Sequence, residues 1–128
     1  EIGSMLAPIL MSIAIFTPTA TAQTDPPIAC TPKALDATQR RRQTELLGIV
    51  RGKIQKTVEL DNGFALQLPN DPATTLQVAA WISLERRCCG FAEFAVEWRL
   101  DDTVWVKLTG KAGVKEVLAA EMGIAAKR

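Results

Sequence analysis

The sequence predicts an α+β protein: a two-layer sandwich with a four-stranded antiparallel sheet, built from two hairpins, and helices on one face. Three observations predict it. Two stretches, 54–68 and 94–108, alternate apolar and polar residues on either side of a short turn signal. Segments with apolar residues at helical spacing lie before, between and after them. The resulting order is α-β-β-α-β-β-α. The chain has 128 residues, 48% of them hydrophobic, which suits one domain with a real core.

The first elements are not part of that fold. "MLAPILMSIAIF", residues 5–16, is an uncharged apolar run, and "TPTATAQ" follows it. Ala20 and Ala22 give an A-x-A cleavage pattern, so residues 1–22 read as a signal peptide. Residues 1–4 supply no cation, unlike the usual start of such a peptide. The run is too short to span a bilayer comfortably, so no stable membrane insertion is expected after cleavage. Residues 23–29 then form an extended leader and 30–128 the domain, in the periplasm or outside the cell. An uncleaved anchor or an interfacial segment is the alternative to cleavage, and acylation at Cys30 in "PIAC" is a further one. Pro27 and the distance from the apolar run oppose it.

"TPKALDATQRRRQTELLGIVRGK" predicts the first helix. Thr31 is the N-cap, Pro32 takes the first position, and Gly52 is the stop. Leu35, Leu46, Leu47 and Val50 form its apolar face, and Arg40–Arg42 a solvated surface. Ile54, Val58 and Leu60 share one strand face, and Asn62-Gly63 signals a hairpin into Phe64, Leu66 and Leu68. The second helix is capped by Asp71 and Pro72 and ends at Gly90. Its apolar residues spread widely around the axis, which predicts deep burial. In the second hairpin Phe94, Val96, Trp98 and Leu100 alternate, then Val104, Val106 and Leu108, across an Asp101-Asp102 turn. Trp105 faces the other way and is expected to be partly exposed. Val114, Val117, Leu118 and Met122 make the apolar side of the last helix.

Function is narrowed by what the chain lacks. It has no histidine, which removes the commonest metal ligand and general base. A net charge of +1 argues against nucleic-acid binding through bulk charge. No nucleotide loop, nucleophile elbow or zinc-protease motif occurs, so a conventional enzyme is not expected. The remaining chemistry is Cys30, Cys88 and Cys89 with nearby carboxylates. Adjacent residues on a helix turn about 100° apart, so regular geometry points the two vicinal thiols away from each other. They share an ion only if the chain unwinds near Gly90. Cys30, just before a predicted helix N-terminus, is the best placed to carry a thiolate. If the first helix starts near the end of the second, three thiolates converge and suit Hg(II), Cu(I) or Zn(II). Glu85 is a possible harder ligand. Glu85, Arg86, Phe91 and Phe94 are expected around the thiols, although both phenylalanines also read as core. Core packing, or a disulfide from Cys30 to Cys88 or Cys89, are the other readings, as is a redox pair with Cys30 as resolving thiol.

The segments "ACTPKALDATQRRRQTEL", "LDNGFALQLP", "LERRCCGFAEFAVEW" and "VWVKLTGKAGVKEVL" resemble a group of small bacterial proteins. Its members carry E-x-x-C-C-x-F-x-x-F after a helix, an upstream cysteine, and a hydrophobic hairpin leading to T-G-x-x-G. The likeness covers nearly all of residues 29–120. Position by position it marks Glu85, Cys88, Cys89, Phe91 and Phe94, with Cys30 upstream. Many members have proline after the cysteine pair where this chain has Gly90, and members generally look cytosolic. The resemblance implies a thiol site linked to heavy metals and supplies no reaction. The resulting expectation is an exported protein whose partner is a soft metal ion, with no enzymatic reaction assigned to it.

Overall fold

The computed structural model describes residues 3, 12–20 and 28–124. Helix α1 spans Ala37–Lys53, strands β1 and β2 Lys56–Leu60 and Gly63–Leu68, and helix α2 Pro72–Cys88. Strands β3 and β4 span Glu93–Trp98 and Val104–Thr109, and helix α3 Val114–Met122. The four strands form one open antiparallel sheet in the order β1-β2-β4-β3. The predicted fold class and element order are those observed. Ala20 and the apolar residues Ile13, Ile15 and Phe16 belong to an exposed stretch with no regular secondary structure. Ala22 and Gln23 of the predicted cleavage site lie outside the described residues. No described helix is long and apolar enough to cross a membrane.

The core follows from alternation. Phe64, Leu66 and Leu68 of β2 and Val106 and Leu108 of β4 are fully buried on one sheet face, against Leu46 and Val50 of α1 and Val78 and Trp81 of α2. Leu118 and Met122 of α3 close the same cluster. Trp81 meets Phe94 of β3 edge-to-face, with ring centroids 5.9 Å apart. Its Nε1 is buried without a hydrogen-bond partner among the described residues.

Several expectations change. The first α-helix begins six residues later than Thr31, because Asp36 and Gln39 form a capping box: Gln39 N–H donates to Asp36 and the Gln39 side chain accepts from Asp36 N–H. Thr31 instead precedes a 3-10 turn at Pro32–Ala34. At its far end the helix continues through Gly52 to Lys53. The first hairpin exists without a glycine turn. Leu60 pairs with Gly63, so the loop is Asp61-Asn62 and Gly63 already belongs to β2. Glycine is required there by close approach: a Cβ would lie 1.9 Å from the Leu108 carbonyl oxygen. Val58 pairs with Ala65, which puts Val58 and Leu60 on the open sheet face, opposite Phe64. On this edge strand the inward place is taken by Glu59, ion-paired to Lys115 of α3 at 2.6 Å.

Trp105 does face away from Val104 and Val106, yet it is only 7% exposed. The Arg99 guanidinium covers its ring at 4.3 Å, and Nε1 donates to Thr103 Oγ1 at 2.9 Å. Trp98, at the end of edge strand β3, is 59% exposed, and Leu100 projects from the following turn. That turn puts Asp102 in the left-handed region (φ 61°), while Asp101 accepts from the Thr103 amide and hydroxyl.

Candidate thiol–carboxylate site

The site forms where the N-terminal segment of the domain meets the end of α2. Thr31 N–H donates to the Cys88 carbonyl at 2.8 Å, one of the carbonyls a helix end leaves without an intrahelical partner. Arg87 Nη2 donates to the Ala34 carbonyl at 3.0 Å, and Arg40 Nη1 of α1 donates to the Leu35 carbonyl at 2.6 Å. These bonds place Cys30 beside the vicinal cysteines. A small apolar cluster of Leu35, Cys88 and Cys89, with Phe91 and Leu84 against it, seals the contact.

Regular helix geometry would separate Cys88 from Cys89. The helix ends one residue before that becomes true. Cys88 is the last helical residue, and Cys89 is the C-cap with φ −115° and ψ 61°. The unwinding expected at Gly90 therefore occurs at Cys89. Its N–H still donates to the Glu85 carbonyl at 2.6 Å, but its side chain leaves the helical path. The two vicinal sulfurs come within 4.0 Å.

Cys30 and Cys89 form a disulfide with Cα atoms 4.6 Å apart, and Cys88 is free and buried. Of the two possible pairings left open by the sequence, this is the one observed. Two carboxylates lie against it. Glu85, 2% exposed, has Oε1 3.2 Å from Cys89 Sγ. Glu121 Oε2 is 3.1 Å from Cys30 Sγ and 3.4 Å from Cys89 Sγ. A disulfide sulfur carries no proton, so any hydrogen in these contacts belongs to a carboxyl group. Gln43 Nε2 of α1 donates to Glu85 Oε2 at 2.5 Å.

Burial, and then the hydrogen bond and charge of Glu85, push the Glu121 carboxyl up to about 8, so it holds its proton at neutral pH. Burial first, then Glu85 and Glu121, also push the Cys88 thiol above its ordinary value. Cys88 is thus a protonated, buried thiol beside a disulfide, with little thiolate character.

The arrangement offers two ligand sets. The sulfurs of Cys30, Cys88 and Cys89 lie within 4.8 Å of one another, and so do the ligand atoms of Cys30, Cys89, Glu85 and Glu121. Either set could hold an ion once the disulfide is opened. The structure brings Cys30, Cys88, Cys89, Glu85 and Phe91 together. Arg86 is exposed and lines a separate groove with Ile82 and Phe94, and Phe94 belongs to the main core.

Glu121 and Gln43 were not singled out by sequence reasoning, although a signal existed. Glu121 falls three residues after Leu118 and four after Val117, on the apolar stripe of α3. Gln43 stands three before Leu46 and seven before Val50, on the buried stripe of α1. A polar residue on an apolar stripe marks a buried polar contact.

Comparison with protein-family models, with curated proteins and with solved structures returns no match. The class is therefore set by fold and site alone: an α+β protein with a buried disulfide, a third thiol and two carboxylates at one point.

Proposed function

We propose that the protein, with its disulfide reduced, binds a soft metal ion, Hg(II), Cu(I) or Zn(II), through the thiolates of Cys30, Cys88 and Cys89. The observation that carries this reading is the convergence of all three sulfurs within 4.8 Å. Thiolates favour these ions, and a protein without histidine has few other ways to hold one. Glu85 and Glu121 are placed to supply oxygen ligands or to accept hydrogen bonds. The resemblance to small bacterial proteins, which implies a thiol site linked to heavy metals, supports the same direction, and the apolar leader supports a role outside the cytoplasm, as sequestration of the ion. Binding must release the Cys88 proton, so affinity rises with pH.

The test is competition for Cu(I) and Hg(II) by the reduced protein, with Cys88→Ser and Cys89→Ser beside the native chain. Much weaker binding by both variants is expected. Unchanged affinity would sink the proposal. A thiol-redox role is the second reading, favoured by the disulfide itself. A reduction potential near roughly −200 mV would favour it, whereas one below about −300 mV marks a structural bond.

A further inference from the structure

The two sulfurs of the disulfide are not equivalent. Cys89 is 0% exposed, behind Glu85 and the free thiol Cys88. Cys30 is half-buried. It lines a cavity of about 310 Å³ together with Leu35, Arg40, Gln43, Thr44, Cys88 and Glu121, whose Oε2 lies 3.1 Å from Cys30 Sγ. Arg40 and Thr44 are exposed at its edge, so the cavity is open to solvent on the α1 side. Its volume is at the small end of ligand-sized pockets. It is of a size to admit a small molecule to Cys30. Arg40 adds a cation beside the path, and the Glu121 carboxyl next to Cys30 holds its proton at neutral pH, so an approaching anion meets no opposing charge from it there.

We propose that this cavity is the access route for a small-molecule thiol, which opens the disulfide by attacking Cys30 and never Cys89. Thiol–disulfide exchange runs through a thiolate attacking one sulfur while the other departs, and access decides which sulfur is attacked. The thiolate RS⁻ forms a bond to Cys30 Sγ as the Cys30–Cys89 bond breaks. The electron pair of that bond goes to Cys89 Sγ, which takes up the proton given up by RSH. The products are the mixed disulfide RS–S–Cys30 and the Cys89 thiol. A second RSH attacks the sulfur of the bound group, releasing RSSR and the Cys30 thiol. Two thiols are oxidised for one protein disulfide reduced. The bound group R occupies the cavity between Arg40 and Thr44 during the first step. This inference needs no bound ion and stands apart from the metal reading.

The experiment uses the oxidised full chain and reduced glutathione as the thiol. Exchange is stopped with acid after short times, and free thiols are alkylated in denaturant and mapped. Cys88→Ser is mapped in parallel, so that only Cys30 and Cys89 can carry an adduct. The expected result is glutathione on Cys30 and the alkyl group on Cys89. Thr44→Trp, an exposed helix position at the cavity edge, is the second variant. It should slow opening by glutathione roughly tenfold or more, because the nucleophile can no longer reach its line of attack. Its thermal unfolding shows whether the fold is intact. Glutathione on Cys89, or no opening at all, overturns the proposal. So does opening of a folded Thr44→Trp at the native rate. Failure of metal binding in the reduced protein would leave each of these outcomes readable.

Discussion

The two ends of α2 are held by different physics. At the N-terminus, Asp71 accepts from the Thr74 N–H and hydroxyl at 2.8 Å each, three residues away along the chain. Pro72 occupies the first turn, where its missing N–H costs nothing. Everything needed lies within one turn. At the C-terminus, the chain is held by a disulfide across 59 residues, a backbone bond from Thr31, and carboxylates from α2 and α3. The first end is a local solution. The second exists only when distant segments arrive together. The comparison explains why one end is plain helix punctuation and the other gathers the reactive groups.

The largest effect that can break this comparison is loss of the covalent link. Closing a loop of 59 residues in the unfolded chain is worth about 4 kcal/mol in the chain-entropy account. Urea unfolding with and without reductant, and of Cys30→Ser, should show a destabilisation of that order. A loss below about 1 kcal/mol, the size of one net hydrogen bond, would mean that the Thr31 amide and the Leu35 cluster suffice to dock the segment. The C-terminal end would then be as locally determined as the N-terminal one.

The next effect concerns pH. The Glu121 carboxyl is raised from 4.5 to about 8 in the folded chain. Between those values the unfolded chain has lost this proton and the folded chain still holds it. Stability from this group is therefore full below about 4.5 and declines as pH rises toward 8. Thermal unfolding of the disulfide-bonded protein from pH 5 to pH 8 should show a falling midpoint. Glu121→Gln, which carries no ionisable group, should flatten that slope. An unchanged slope in the variant would place the sensitivity elsewhere.

The sequence made the local end of α2 legible and the distant end only in part. Asp71-Pro72 is a cap that any reader of helix signals finds, and the strand alternation of Phe64–Leu68 and Val104–Leu108 gives the inward sheet face directly. β1 misleads because an edge strand can turn its apolar residues to the open face. Its neighbour β2 supplies the core, and Lys115 neutralises Glu59. The first helix misleads because Thr31-Pro32 and Asp36 both look like starts, and the reciprocal bonds to Gln39 decide for the second. The cysteine pair is harder still. Its convergence depends on Cys89 leaving the helix one residue before Gly90, and on a bond to Cys30 that no local pattern encodes. Glu121 enters the site from α3, an element with no sequence proximity to either cysteine.

The smallest expected effect sharpens the contrast by reversing its sign. The Thr74 amide first, and then its hydroxyl, hold the Asp71 carboxyl below its ordinary value of 3.8, with a lesser contribution from Lys53. Its capping contribution is present above the unfolded value and is lost as pH falls through the lower folded one. Acid therefore loosens the N-terminal end, whereas rising pH loosens the C-terminal end. Asp71→Ala should lower the unfolding midpoint at every pH above that window, by less than loss of the disulfide does. Asp71→Asn keeps an oxygen that accepts from Thr74 N–H, since asparagine is as good an N-cap as aspartate. It should leave the neutral midpoint nearly unchanged and remove only this group's share of the decline in acid. Melting curves of the three proteins from pH 2 to pH 7 decide this. If Asp71→Asn unfolds in acid like the native chain, the cap works through its hydrogen bonds alone, and the opposed pH responses of the two helix ends reduce to Glu121 acting by itself.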